Sequence, residues 1–135
     1  MRIREAREQD RPRIRHLAES LELNYPEMEN DRFWVADEGG LIIGIVGLKR
    51  RPDCFELVAL GVDPASRQWG VGRKLVQALL EAAPSAVYLA TVIPHYFERL
   101  GFVRTPLAPT GMAKEPSWCE GCDTDRCAVM VRTTR

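Results

Sequence analysis

The stretch Val62-Asp63-Pro64-Ala65-Ser66-Arg67-Gln68-Trp69-Gly70-Val71-Gly72-Arg73-Lys74-Leu75 decides how the chain is read. Leading into it, Phe55 to Val62 is an apolar, β-rich run interrupted by Glu56. Beyond it, Val71, Leu75, Val76, Leu79 and Leu80 recur on one helical face. A strand therefore ends, a glycine-bearing turn follows, and an amphipathic helix runs from about Gly70 to Ala83. The first N–H groups of a helix lack intrahelical acceptors and carry the positive end of its dipole. Glycines there let an anion approach the main chain, so the turn suits a pyrophosphate, with Arg67 and Arg73 adding charge-assisted contacts. The same glycines would also serve a plain helix start. Two other glycine loops are excluded. A Walker loop needs Gly-x4-Gly-Lys-[Ser/Thr], which Gly70-Val71-Gly72-Arg73-Lys74 does not supply. A dinucleotide fingerprint needs a third glycine where Leu75 stands.

Upstream, Arg2 to Glu5 reads as a short first strand, and Pro12 to Leu23 as a helix with Ile14, Leu17 and Leu21 on one side. Phe33 to Glu38 and Leu41 to Lys49 read as strands joined at Gly39-Gly40, a tight hairpin turn. Pro52-Asp53 turns the chain again into the strand Phe55 to Val62, with Asp63 to Gln68 as a loop. Downstream, Val87 to Val92 is a strand and Pro94 to Leu100 a short helix. A strand follows Gly101-Phe102, and Cys127 to Thr133 is the last one. The order predicts an α/β (α+β) fold built on a mixed sheet rather than a regular alternation. We expect a single domain over residues 1–135, with 105–126 a looser, cysteine-containing loop.

Composition narrows the function. The 135 residues are 45% hydrophobic and 28% charged, which suits one globular core. Nineteen Lys and Arg against nineteen Asp and Glu leave no basic excess for nucleic acid or an anionic membrane. The longest apolar run, Leu41 to Leu48, is eight residues and includes two glycines, too short to cross a bilayer. The charges of Met1 to Glu5 have no apolar run behind them, so no secretory signal is expected. With four cysteines, a reducing, cytoplasmic setting is the simplest reading.

Arg67-Gln68-Trp69-Gly70-Val71-Gly72 resembles the Arg/Gln-x-x-Gly-x-Gly/Ala signature of the GNAT superfamily of acetyl-CoA-dependent N-acetyltransferases. A second block, Tyr96-Phe97-Glu98-Arg99-Leu100-Gly101-Phe102, is similar to that family's aromatic-aromatic-Glu-Lys/Arg-Leu-Gly-Phe segment. The Tyr-Phe pair is closest in character to the amino-acid acetyltransferase branch. The resemblance covers residues 2–104. It implies a mostly antiparallel sheet, splayed between its fourth and fifth strands and flanked by helices, with the pantetheine arm of acetyl-CoA in the gap. It also implies cofactor contacts from the main chain of Leu60 and Val62, from Arg67, Gln68, Trp69, Gly70, Val71, Gly72 and Arg73, and from Thr91. The Leu60 amide would polarise the thioester carbonyl.

Acetyl transfer to a primary amine needs a proton acceptor, since an alkyl amine is mostly protonated at neutral pH. Glu56 is the leading candidate, sharing a strand face with Val58, Leu60 and Val62; alternatively it is solvated or paired with Arg50 or Arg51. The resemblance also implies a proton donor for the leaving thiolate, a place usually held by tyrosine where this chain has Phe97. Tyr96 or solvent takes the role, with His95 a weaker option. Thr91 either bonds pantetheine or is an ordinary strand residue. Cys119, Cys122 and Cys127 form a C-x2-C-x4-C run with zinc-knuckle spacing, but the ligand set is incomplete without Cys54 or a histidine. Reduced thiols in a loop, or one disulfide formed on purification, are favoured over a metal site; a loop covering the acceptor through Trp118 is another reading. Two alternatives to an enzyme stand beside this reading, a non-catalytic acetyl-CoA sensor and a metal-held docking module. We expect a small-molecule amine as acceptor, and a homodimer is among the assemblies the sequence allows.

Overall fold

The computed structural model describes residues 1–106, 109 and 128–133. Its strands are β1 (Arg2–Glu5), β2 (Arg32–Glu38), β3 (Leu41–Arg50), β4 (Phe55–Val62), β5 (Val87–Thr91), β6 (Val103–Arg104) and β7 (Ala128–Arg132). Its helices are α1 (Arg11–Ser20), α2 (Val71–Ala82) and α3 (Pro94–Glu98), with short 3-10 turns at Glu8–Asp10, Met28–Asn30 and Pro64–Trp69. The strands form one mixed sheet in the order β1-β2-β3-β4-β5-β7-β6. The β4/β5 pair is parallel, and its register covers Phe55 with Val87 and Glu56 with Tyr88. The β1/β2, β2/β3, β5/β7 and β6/β7 pairs are antiparallel.

The chain divides into two compact units, Met1–Lys49 with Leu57–Ala82, and Arg50–Glu56 with Ala83–Arg135. In the first, strand alternation sorts the core onto two faces. Phe33, Val35 and Ile45 pack with Ile14, Leu17 and Ala18 of α1. On the other face, a Cβ placed on Gly44 would come within 3.0 Å of Val71 and Leu75 of α2. The apolar stripe of α2 is buried as its spacing predicts. In the second unit, Val87, Leu89, Phe97, Phe102 and Met130 are buried. The rings of Phe97 and Phe102 meet edge to face, 5.7 Å apart.

Local chemistry sets the boundaries. Gly39 and Gly40 both have positive φ, the requirement of a two-residue hairpin turn, and the Gly40 N–H donates to Asp37 Oδ1. Helix α1 stops at Ser20, short of the expected Leu23, and Glu22 then takes a left-handed conformation. The expected loop after Val62 is a 3-10 turn over Pro64–Trp69, begun by the Ala65 N–H donating to the Asp63 carboxylate. Arg4 gathers the first unit's buried charge. Its terminal nitrogens donate to both Asp10 oxygens at 2.7 and 3.1 Å, its Nε donates to Asp37, and the Arg7 N–H also donates to Asp10.

One expectation is corrected. Ala59 sits inside β4 with φ of 52°, a conformation that cannot continue the pleat. A Cβ on Gly47 would touch both Phe33 and Val58, and one on Gly61 would touch Leu21 and Leu23 beside α1. Val58 and Gly61 thus share the α1 face although they stand three positions apart, a spacing that regular alternation would send to opposite faces. Leu60 and Val62 fall on the opposite face from Val58, not with it.

Two stability effects follow. Asp10 is held below the usual carboxylate range by its hydrogen bonds to Arg4, which outweigh the upward push of burial, with help from the Arg7 N–H. The folded state therefore binds this proton less readily than the unfolded one. Its contribution is complete above the unfolded value of about 3.9 and is lost as pH falls through the lower folded value. Asp10→Asn should cost about 1–3 kcal/mol near neutrality and flatten the acid limb of stability against pH, measured by urea unfolding. Gly47→Ala forces a methyl to within 3.0 Å of the buried Phe33 ring. It should lower the urea midpoint by an amount equivalent to about 1–3 kcal/mol with an unchanged m-value.

Candidate active site

In the first unit, Gly70 joins the 3-10 turn to α2 at φ of 67°, and a Cβ there would meet nothing within 4 Å. The glycine is thus required by backbone conformation, and the space above it is open. The Gly70 carbonyl accepts from the Lys74 N–H at 3.2 Å, the first bond of α2. The N–H groups of Val71, Gly72 and Arg73 precede that bond and have no acceptor within the helix. Arg67 and Arg73 are exposed on either side of Gly70. Arg67 is also tied to the strand, its Nε donating to the Val62 carbonyl at 3.1 Å. Gln68 and Trp69 lie in the 3-10 turn itself. The left-handed Ala59 immediately precedes Leu60, so the Leu60 amide is turned relative to the regular ladder. These features fit an elongated ligand ending in phosphate: a turned strand amide, then glycine, helix donors and two arginines.

In the second unit, Glu56 is 1% exposed and is paired with Arg51, whose Nε lies 2.5 Å from Glu56 Oε1. The pairing is one of the alternatives the sequence leaves open, and here it accompanies the expected burial. Arg51 is fixed by its own N–H, which donates to the Cys54 carbonyl at 2.9 Å and closes the turn around Pro52-Asp53. The β4/β5 register sets Tyr88 opposite Glu56, on the same face of the sheet. Sequence reading misses Tyr88, because only the pairing of two distant strands brings it there. Burial pushes the Cys54 thiol up, with Asp53 and Glu56 adding to the effect, so it is a poor source of thiolate.

Tyr96 is half-buried with its ring edge to face against Phe97, 5.1 Å between centroids. Burial raises its hydroxyl above the ordinary tyrosine value. Phe97, in the customary donor position, belongs to the core. His95 is exposed and lies 2.9 Å from Glu98. Thr91 ends β5, and its Oγ1 accepts from the Ile93 N–H at 2.9 Å. Among the described residues no group of three or more His, Cys, Asp or Glu is placed to hold a metal ion. Cys119, Cys122, Cys127 and Trp118 lie outside the described residues. Among the described residues, no helix is long and apolar enough to cross a membrane.

Comparison with known proteins identifies the family. Residues 2–102 match the model of the Acetyltransferase (GNAT) family, and the chain belongs to that family; it is an acyltransferase. It is 28% identical over 137 residues to an amino-acid acetyltransferase of Mycobacterium tuberculosis, covering 90% of this chain and 79% of the relative. Its fold is similar to that of N-acetylglutamate synthase from Neisseria gonorrhoeae, complexed with coenzyme A and N-acetyl-glutamate (TM-score 0.79, 21% identity). That match covers 99% of this chain but only 35% of the synthase, so the chain spans about a third of that protein. A Mycobacterium tuberculosis protein solved in complex with CoA is also similar, with TM-score 0.74 and 23% identity over 98% of this chain and 99% of the other.

Proposed function

We propose that the chain transfers the acetyl group of acetyl-CoA to the amino group of an amino acid, by direct attack in a ternary complex. The start of α2 carries this reading: Gly70 is left-handed beneath open space, and the N–H groups of Val71, Gly72 and Arg73 have no helical acceptor. Such donors suit the diphosphate of coenzyme A, with Arg67, Gln68, Trp69 and Arg73 completing the cradle. Main-chain groups of Leu60 and Val62 pair with the pantetheine arm, and the Thr91 hydroxyl is a further cofactor contact in this reading. The Leu60 amide polarises the thioester carbonyl, a contribution of about 3 kcal/mol for a well-aimed donor.

Glu56 takes the proton of the attacking amine, directly or through a water. Arg51 occupies its Oε1, leaving Oε2 for that exchange. Tyr96 or solvent protonates the departing thiolate, and its raised pKa means that the phenol enters the reaction protonated. The suppressed thiol of Cys54 favours direct attack over an acyl-cysteine at that position. The amino-acid acceptor is supported by the Mycobacterium relative and by the synthase with N-acetyl-glutamate bound. We further propose that the chain acts as a single acetyltransferase domain in the cytoplasm; a homodimer is compatible with this.

Acetyl-CoA titration and steady-state assay on an amino-acid panel test the reading. Gly70→Glu puts a carboxylate into the open space of the cradle and should abolish acetyl-CoA binding by calorimetry. Its circular dichroism should stay close to wild type, since the left-handed strain costs only about 1–2 kcal/mol. Retained affinity would refute the cradle. Glu56→Gln should lower kcat by about 10²- to 10⁴-fold with the Kd for acetyl-CoA little changed. Undiminished turnover would remove Glu56 as the base.

A further inference from the structure

We infer that Arg51 binds the carboxylate of the amino-acid acceptor, an inference that rests on the acceptor class proposed above. A guanidinium offers five N–H donors in a planar fork. Arg51 spends its Nε on Glu56 Oε1, and among the described residues its two terminal nitrogens have no acceptor. The Arg51 side chain is 22% exposed while that of Glu56 is 2% exposed. A buried carboxylate therefore orients the cation from behind and leaves its outer edge within reach of a ligand. That edge matches the two oxygens of a carboxylate, which a lysine ammonium cannot do with the same geometry. The backbone bond from Arg51 to Cys54 holds the base of the side chain, so the fork is presented from a closed turn.

Charge complementarity supports the same occupant. From Arg50 to Glu56 the turn carries Arg50, Arg51, Asp53 and Glu56, two positive and two negative side chains. A zwitterionic amino acid leaves that balance unchanged, with its carboxylate on Arg51 and its ammonium toward the free side of Glu56. A bare amine adds an uncompensated positive charge. Arg51 is thus a specificity residue, separate from the proton acceptor it orients.

Steady-state kinetics on the full chain test this, comparing free L-amino acids with their α-amides (leucine with leucinamide, glutamate with isoglutamine). The wild type should show the lower KM for the free acid. Arg51→Lys keeps the positive charge that Glu56 requires but loses the fork. It should raise KM for the free acid roughly 10- to 100-fold and leave KM for the amide and for acetyl-CoA nearly unchanged. Equal losses on acid and amide, no loss on either, or a wild type indifferent to the carboxylate would each overturn the role of Arg51. Failure of the wild type to acetylate any amino acid or amide, with other amines accepted, would overturn the acceptor class itself.

Discussion

The two-residue repeat of the β-strand is the constraint on which the first unit depends. It sends Phe33, Val35 and Ile45 to α1 and Gly44 to α2, so each helix has one face of the sheet to cover. Gly44 and Gly47 stand where a side chain would collide with residues already buried there. The repeat fails once in β4, at Ala59, and the failure is local. It moves Leu60 and Val62 onto the other face and turns the Leu60 amide, while Gly61 lies beneath Leu21 and Leu23. A left-handed alanine costs about 1–2 kcal/mol, and the buried neighbours on both sides hold it in place.

The second constraint is that carboxylates removed from water must be paired. Asp10 and Glu56 each meet an arginine, but the pairings differ in form. Arg4 gives both terminal nitrogens to Asp10 and its Nε to Asp37, using the guanidinium on two sides. Arg51 gives only its Nε to Glu56. The first arrangement closes on itself and joins β1 to the turn before α1. Among the described residues, the second leaves donors over beside a buried carboxylate.

Much of this architecture is legible in the sequence. Gly39-Gly40 marks a hairpin because both positions need positive φ, and Val71 to Leu80 mark a helix because their spacing leaves one apolar stripe. The Gly70 turn and the Tyr96-to-Phe102 block are legible because backbone geometry and packing demand specific residue types there. The bulge is not: Ala59 looks like any strand residue, since nothing in an alanine announces a left-handed conformation. Simple alternation therefore assigns Leu60 and Val62 to the wrong face. Glu56 stands out as a charge in an apolar run, yet its pairing with Arg51 is one option among several until the turn is closed. Tyr88 gives no signal at all, because register between strands more than thirty residues apart is a tertiary property.

Among the described residues, both margins of the sheet are poor templates for a further strand. At one, β1 carries Arg2, Arg4 and Glu5, so an incoming chain would have to desolvate charged groups. At the other, β6 is two residues long, too short to register a partner. Apolar strands as long as β3 are confined to the interior of the sheet. Concentrated preparations should therefore resist the edge-to-edge stacking that leads to fibres, whatever closed assembly the native protein adopts.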